Sequence, residues 1–204
     1  MGKLTLRKYI HLYSQTHRRL YIIGPLFSAS EAKQSNFSGA VIFVDGGVRF
    51  RKSDEGFSVG DGDSSEVALD KVLNTEKDFS DLSYVFDHLE DYFEEVVLLG
   101  FLGGRRDHEL ANLAEAHRFL SRRNLKVRLL FDQEVIGLSK GEWQVSIDSI
   151  FTLFSFEAVH LDLRGACKYQ TSGFLRHLSS HGLSNEGYGK VAISCDHPVF
   201  VFTS

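Results

Sequence analysis

Residues 40–47 read AVIFVDGG, five apolar residues that stop at an acidic turn. An apolar run without alternation is typical of a strand covered on both faces, as in a parallel sheet. Comparable runs occupy residues 20–23, 96–99 and 127–131, and each stops at glycine or aspartate. The first two thirds of the chain therefore read as buried strands that end in turns.

Two segments between these runs have the apolar spacing of a helix. Residues 81–93 place on one face Leu82, Val85, Phe86, Leu89 and Phe93. Residues 108–122 place on one stripe Leu110, Leu113, Ala114, His117 and Leu120. The alternation of strands and helices predicts an α/β domain with a mainly parallel sheet over residues 1–132. Ligands of such sheets bind beyond the carboxyl ends of the strands.

The pattern changes after residue 132. Residues 143–147 and 159–163 alternate between apolar and polar side chains, and further β-rich runs occupy residues 191–195 and 199–202. Short turns divide these runs, and helical spacing is scarce. Residues 133–204 are therefore predicted to form an all-β, sandwich-like C-terminal domain.

Composition excludes several classes of protein. The 204 residues are 43% hydrophobic and 25% charged, with a net charge of -4, so the basic footprint of a nucleic-acid binder is missing. No apolar stretch approaches the roughly 20 residues that span a membrane. The N-terminal residues are too polar for a signal peptide. The two cysteines, Cys167 and Cys195, read as reduced, packed thiols, and a cytoplasmic protein is the simplest interpretation.

Acidic turns follow the strands, and one of them reads Gly-Asp-Gly-Asp-Ser over residues 60–64. Asp61 and Asp63 stand two residues apart, which directs both carboxylates to one side of an extended backbone. Two such carboxylates repel unless a cation lies between them, and Mg²⁺ prefers hard oxygen ligands. The alternative is a solvated turn, because Asp and Gly are common turn residues.

Two further turns open helices. Gly103-Gly104-Arg105-Arg106-Asp107-His108 combines glycines, which let a backbone approach phosphate, with a helix N-terminus, which attracts anions. Asp107 also fits an N-cap. Lys77 precedes Asp78 and Asp81, which suit either a metal–phosphate site or ordinary helix-start chemistry.

The order of these motifs resembles that of the thiamin pyrophosphokinase family. The matching stretches are Asp45-Gly46-Gly47, Gly60–Ser64, Lys77–Asp81, Gly103–His108 with Asn112, Gly165 with Lys168-Tyr169, and Gly182–Glu186. The resemblance runs from about residue 20 to the C-terminal half. It departs from the family pattern in the compact segment 48–59, in Gly62 for the usual Phe, and in Ser80 for the usual Thr.

This resemblance implies a thiamin pyrophosphokinase, an ATP-dependent transferase that moves pyrophosphate from ATP to thiamin and yields thiamin diphosphate and AMP. It implies a nucleotide-binding catalytic domain over residues 1–132, a thiamin-binding domain over residues 133–204, and a homodimer with shared active sites. It implies Mg²⁺ as cofactor, with Asp61, Asp63 and Asp81 as ligands.

The remaining roles also follow from the resemblance. The implied catalytic residues are Asp61, Asp63, Asp81 and Asp107. The implied ATP and phosphate contacts are Asp45, Gly46, Lys77, Gly103, Gly104, Arg105 and His108. Ser184 and Asn185 are the implied substrate contacts, and either Asp81 or Asp107 would accept the proton of the alcohol.

Two rival functions remain open. One is a pyrophosphokinase that acts on another alcohol, and the other is an inactive relative that binds a nucleotide or thiamin diphosphate. The nine histidines show no zinc-site spacing, so His117 reads as a packed or surface residue. Neither a membrane nor a nucleic acid is an expected partner.

Overall fold

The computed structural model describes residues 4–34, 37, 39–52, 55–62, 67–90 and 92–203. Within this part of the chain there are four α-helices and thirteen strands, which makes the protein mixed and mainly β. The chain divides into two compact units, Met1–Glu115 and Ala116–Ser204. The domain boundary expected at residue 132 stays a prediction. No helix of the described residues is both long and apolar enough to cross a membrane.

The first unit contains a parallel sheet in the order β4-β3-β2-β1-β5, and every pairing in it is parallel. Its strands are β1 (Arg19–Ile23), β2 (Ala40–Val44), β3 (Phe57–Gly60), β4 (Lys71–Val72) and β5 (Glu95–Leu99). All five residues of β2 are buried, as its unbroken apolar run predicts. Because the strands are parallel, their carboxyl ends share one edge of the sheet.

One helix, α1 (Leu6–Ser14), precedes β1. The connections between the strands contain α2 (Ala29–Gln34), a 3-10 helix (Asp45–Phe50) and α3 (Asp81–His88). The next helix, α4 (Arg106–Ser121), begins in the first unit and ends in the second. The compact segment 48–59 contains Arg49, inside the 3-10 helix, and Arg51, just after it.

Both arginines of this compact segment serve the fold. Arg49 donates to the carbonyl oxygens of Pro25 and Phe27 at 2.7 and 3.3 Å. The Arg51 guanidinium lies 2.8 Å from a carboxylate oxygen of Asp70 and 2.9 Å from the hydroxyl of Ser58. Ser58 is fully buried, and this network satisfies it inside β3.

The second unit consists of two sets of antiparallel strands that share β12. One set pairs β6 with β7, β7 with β13, β13 with β9, and β9 with the start of β12; the other pairs β8 and β10 with β12, and β11 with β10. The strands are β6 (Arg128–Phe131), β7 (Val135–Leu138), β8 (Gly141–Ile147), β9 (Ile150–Phe154), β10 (Val159–Cys167), β11 (Thr171–Leu175), β12 (Asn185–Cys195) and β13 (Val199–Thr203), with a 3-10 turn at Ser180–Gly182.

Both cysteines belong to an apolar cluster in the core of this unit. They are free and buried, as predicted, and burial raises the pKa of the Cys195 thiol to about 11. Each of the eight runs predicted as strands from the sequence corresponds to a strand, and only Val127 of their residues lies outside one.

Both predicted helices need correction. The helix expected over residues 81–93 ends at His88, where Leu89 turns to extended backbone. Leu89 and Phe93 are nevertheless buried, so apolar spacing continued past the true end of the helix. The helix expected to begin at His108 begins at Arg106. Its predicted stripe was wrong, since Leu110 and Ala114 are exposed while Ala116 and Phe119 are buried with Leu113 and Leu120.

Candidate active site

Three carboxylates meet at the carboxyl edge of the parallel sheet. Val44 of β2 and Val59 of β3 are register partners, so Asp45 and Asp61 leave the sheet side by side. Asp81 is the first residue of α3. One oxygen of each carboxylate lies within 4.8 Å of the other two, in an arrangement that can hold a metal ion.

Local backbone geometry brings these residues together. Asp45 adopts a left-handed conformation with φ of 50°, which aspartate tolerates better than most residues. A Cβ on Gly60 would stand only 3.2 Å from Cα of Asp45, so glycine allows the two strand ends to approach. The side chain of Ser80 accepts a hydrogen bond from the Ser83 N–H, which caps α3 and fixes where Asp81 begins it.

Lys77 pairs with two of the three carboxylates. Its Nζ lies 3.2 Å from Oδ2 of Asp61 and 3.1 Å from Oδ1 of Asp81, and its side chain is 10% exposed. Burial alone would lower the pKa of Lys77, but hydrogen bonds and charge attraction from Asp81 and Asp61 outweigh it, so the pKa is raised. The ammonium is therefore firmly charged.

The surroundings of Asp81 disfavour the ionised form of its carboxylate. Burial raises its pKa, and the charges of Asp61 and Asp45 add to that effect, while Lys77 opposes it. Among the described residues, no donor is aligned for a hydrogen bond to the buried Oδ1 of Asp81, although the Lys77 ammonium is near. Two unit charges 4.8 Å apart repel by about 3 kcal/mol at an effective dielectric constant of about 20.

The ammonium of Lys77 balances one of the three carboxylate charges, so the cluster keeps an excess of negative charge. A divalent cation with oxygen ligands would remove that excess and give the buried oxygen of Asp81 a partner. The donor set fits Mg²⁺.

A glycine-rich loop leads from β5 into α4. Gly103 and Gly104 both have positive φ, 79° and 68°, which is the backbone region that favours glycine. The Gly103 N–H donates to Oε2 of Glu109 at 3.2 Å, and the Asn112 amide donates to the Phe101 carbonyl at 2.9 Å. These contacts tie the loop to the helix that follows it, and they give Asn112 a structural role.

Arg105 and Asp107 form an exposed pair on this loop. Nε of Arg105 lies 3.1 Å from Oδ1 of Asp107, and a second contact joins the guanidinium to Oδ2. The Arg105 hydrogen bond lowers the pKa of Asp107 to about 2. Asp107 lies inside the first turn of α4, so it is not the N-cap that its sequence position suggested.

In the second unit, Asn185 and its neighbours line a pocket of about 190 Å³. The Asn185 side chain accepts hydrogen bonds from the N–H groups of Tyr169 and Glu186 and donates one to the Tyr169 carbonyl. Ser184 is exposed and has a positive φ of 57°. Leucines and the rings of Tyr169 and Phe174 supply much of the pocket wall.

Residues 32–129 match the sequence model of the thiamin pyrophosphokinase catalytic domain. This segment belongs to the thiamin pyrophosphokinase family. This membership confirms the predicted enzyme, a thiamin pyrophosphokinase and hence a transferase with ATP as co-substrate. The amino-acid sequence matches no curated protein sequence.

Solved structures of similar fold agree with this assignment. Thiamine pyrophosphokinase from Bacillus subtilis gives a TM-score of 0.70 at 21% identity, over 91% of this chain and 99% of that one. The Candida albicans enzyme gives 0.65 at 14% identity, over 94% and 90% of the two chains. The yeast enzyme gives 0.62 at 12% identity, over 98% and 90%. At these identities the likeness establishes a shared fold.

The structure brings together four predicted site residues, Asp45, Asp61, Asp81 and Lys77. Asp45 was predicted as a phosphate contact close to the metal ligands, and its carboxylate lies in the group that could hold a metal ion. Its place follows from strand order, because adjacent parallel strands end at one edge. The predicted ligand Asp63 lies outside the described residues.

Proposed function

We propose that the protein transfers the pyrophosphoryl group of ATP to the hydroxyethyl oxygen of thiamin at the carboxyl edge of its parallel sheet. The observation that carries this proposal is the convergence of Asp45, Asp61 and Asp81 within 4.8 Å, in a chain whose residues 32–129 belong to the thiamin pyrophosphokinase family. The domain roles expected from the sequence belong to the proposal: a nucleotide-binding α/β part and a sandwich-like, thiamin-binding β part.

Asp45, Asp61 and Asp81 would hold Mg²⁺, with Asp63 as a further ligand. When bound, Mg²⁺ neutralises the charge of the ATP phosphates and of the oxygens that gain charge during transfer. Lys77 keeps Asp61 and Asp81 ionised and close together, so the ligand set is organised before ATP arrives. Its own Nζ can turn toward a phosphate oxygen once a cation takes over the two carboxylates.

The loop Gly103–His108 is proposed to contact ATP phosphates. Its two glycines have positive φ and no side chain, which lets an anion approach the backbone, and the N-terminus of the 16-residue helix α4 favours negative charge. Arg105 contributes a guanidinium whose present partner, Asp107, is an exposed carboxylate that a phosphate can replace. Gly46 and His108 keep their predicted phosphate contacts.

Asp107 is a poor proton acceptor. A base is most effective when its pKa approaches the working pH, and the hydrogen bond from Arg105 holds the pKa of Asp107 at about 2. We therefore assign the positioning of Arg105 to Asp107, and Asp81 is the remaining candidate for proton removal from the thiamin alcohol.

The pocket of the second unit is the proposed place for thiamin. Asn185 lines it, and Ser184 immediately precedes Asn185 in the chain. Exposed Tyr169, Phe174 and Leu183 surround it, and exposed apolar side chains around one pocket are typical of a binding surface. A homodimer with shared sites would cover them. The reduced, buried cysteines favour a cytoplasmic location.

AMP release from ATP and Mg²⁺, with thiamin present or absent, tests the proposal. We expect AMP in proportion to thiamin, and a drop of at least 100-fold in kcat for Asp61→Asn. The exposed Asp78→Asn, in the same acidic turn as Lys77, is the matched control and should keep full activity. AMP release with a pterin-like alcohol but not with thiamin would favour the first rival function. Thiamin diphosphate binding with no AMP from any acceptor would favour the second.

A further inference from the structure

Arg49 presents a guanidinium at the carboxyl edge of the parallel sheet. It lies in the 3-10 helix that begins at Asp45, directly after β2. Its Nη1 is 3.9 Å from the point that a Cβ on Gly46 would occupy, so the guanidinium lies against the turn that carries Asp45. Asp45 belongs to the three-carboxylate group, and Gly46 is a predicted phosphate contact. Arg49 is thus a neighbour of the proposed catalytic centre.

The loop after β1 connects Arg49 with the glycine-rich loop before α4. Nη2 of Arg49 donates to the Pro25 carbonyl at 2.7 Å. The next residue, Leu26, donates its N–H to the Gly100 carbonyl at 3.1 Å, and its side chain is 3.1 Å from the point that a Cβ on Gly104 would occupy. The ends of β1, β2 and β5 therefore share one surface, which carries both Arg49 and the glycine-rich loop.

The protein holds the Arg49 side chain in place. Nη2 also donates to the Phe27 carbonyl at 3.3 Å, and the guanidinium carbon lies 4.9 Å from the centre of the Phe50 ring. A cation over an aromatic face is attracted by the ring. Because the guanidinium is already positioned, it loses less conformational freedom when it binds a ligand.

The remaining nitrogens of Arg49 have no protein partner in the described part of the chain. Neither Nε nor Nη1 has a hydrogen-bond acceptor there, no carboxylate forms an ion pair with Arg49, and the residue is exposed. Arg51 is different, since its side chain is 12% exposed and its guanidinium contacts Asp70, Ser58 and two backbone carbonyls. The fold uses all of Arg51, whereas Arg49 keeps N–H groups and a charge for a ligand.

The chemistry of the substrates identifies this ligand. An exposed guanidinium recognises phosphate or carboxylate. Thiamin is a cation without a phosphate group, and its proposed pocket lies in the second unit. ATP supplies phosphates, which the proposed function brings to the edge of the sheet where Arg49 lies. We propose that Arg49 binds a phosphate group of ATP and acts as a second binding guanidinium beside Arg105. This inference rests on the proposed function.

Arg49 would act on the phosphates and not on the metal. A guanidinium has no lone pair for Mg²⁺, but its charge-assisted hydrogen bonds to phosphate are among the strong ones. Affinity for ATP should therefore depend on Arg49, whereas affinity for adenosine, which has no phosphate, should not. Arg49 lies in the segment 48–59, where the chain departs from the family pattern, so the order of the motifs did not predict this role.

The experiment measures by calorimetry how tightly the full-length protein binds α,β-methylene-ATP in the presence of Mg²⁺. This analogue cannot be cleaved between the α and β phosphorus atoms, where the proposed transfer breaks ATP. Arg49→Gln should weaken its binding by about 10- to 100-fold, because a charge-assisted hydrogen bond is lost. Affinity for adenosine should stay unchanged, and in turnover assays KM should rise for ATP but not for thiamin. Arg49→Lys keeps a charge on a flexible stem and should show a smaller loss of the same kind.

Arg18→Gln is the matched control, because Arg18 is exposed just before β1, at the amino end of the sheet. It should bind the analogue like the wild type. Unchanged affinity for the analogue in Arg49→Gln would overturn the proposal. An equal loss of affinity for the analogue and for adenosine would also overturn it, since Arg49 would then only support the loop. If circular dichroism and melting show that Arg49→Gln is unfolded, wild-type affinity in Arg49→Lys overturns the proposal instead.

Failure of the proposed function gives a different result. Wild-type protein that binds the analogue but releases no AMP with thiamin would contradict the transfer and leave the phosphate contact of Arg49 standing. Normal AMP release, with unchanged affinity for the analogue in Arg49→Gln, would contradict the role of Arg49 alone. Wild-type protein that binds no analogue would overturn both.

Discussion

Lys77 holds its ammonium between Asp61 and Asp81, and this placement leads to a prediction about stability. In Lys77→Met the two carboxylates face each other without a counter-charge, so the metal-free protein should lose about 1–3 kcal/mol of its free energy of unfolding. Mg²⁺ should restore more of the melting temperature in the variant than it adds to the wild type. Urea and thermal melts with and without Mg²⁺ measure both effects.

Lys71→Met is the control for this change, since Lys71 is exposed on the short edge strand β4. It should melt like the wild type. Equal stability of Lys77→Met and Lys71→Met in metal-free buffer would contradict the role given to Lys77.

Asp81 gives a pH-dependent prediction of opposite sign. Because burial and neighbouring carboxylates raise its folded-state pKa above the ordinary value of 3.8, the folded protein holds more protons than the unfolded chain just above that pH. The free energy of unfolding therefore falls as pH rises through this window, and the loss persists at neutral pH. Asp81→Asn should raise the metal-free melting temperature at pH 7 and abolish turnover.

The stabilising effect of Asp81→Asn should shrink as pH falls through 3.8, because below that pH the wild-type carboxyl is protonated in both the folded and the unfolded state. Asp78→Asn, at an exposed position, serves as the control. A melting temperature that drops in Asp81→Asn at pH 7 would show that the pairing with Lys77 outweighs burial.

At the scale of elements, the start of α3 decides where one metal ligand lies. Ser80 caps this helix through the Ser83 N–H at 3.0 Å, so Ser80→Ala should cost about 1 kcal/mol of stability. It should also lower kcat, because Asp81 is the first residue of the helix. Ser80→Thr keeps the hydroxyl and should restore both. Chemical denaturation and AMP release check the pair, and loss of activity in Ser80→Thr would rule out capping as the cause.

A strand of the parallel sheet was predicted where all of its buried residues were apolar, as in β2. A strand was missed where a polar side chain is buried among them, as in β3. The run in β2 is apolar throughout, so its pattern alone was sufficient. β3 is four residues long and contains Ser58, whose burial depends on Arg51 and Asp70. Those partners lie 7 and 12 residues away along the chain, beyond any local pattern.

The buried face of a helix was predicted wrongly for a different reason. In α4 the predicted stripe included Leu110 and Ala114, whereas Ala116 and Phe119 are buried instead. A rotation by one residue exchanges those sets, and spacing alone does not decide between them when both faces carry apolar side chains. The three-carboxylate site was predicted better, because the order of the motifs placed Asp45 near Asp61 and Asp81. The register of β2 and β3 explains in physical terms why the Asp45 carboxylate lies there.

At the scale of the whole molecule, family membership explains why weak motifs gave a correct function. Each acidic turn had a good alternative as an ordinary turn or helix start. Their order along the chain, followed by the turn that ends in Ser184 and Asn185, restricted the interpretation far more than any single turn did.

Two chains are expected to associate through exposed apolar residues of the second unit. Phe174, Tyr169 and Leu183 are more than half exposed around one pocket, which is a costly arrangement for an isolated chain in water. A homodimer that buries this surface should appear in light scattering at twice the 23.0 kDa chain mass. Phe174→Glu places a charge in the patch and should shift the mass toward one chain and lower AMP release with it. Leu12→Glu, at an equally exposed position on α1, should leave both unchanged; a dimer that survives Phe174→Glu would move the interface elsewhere.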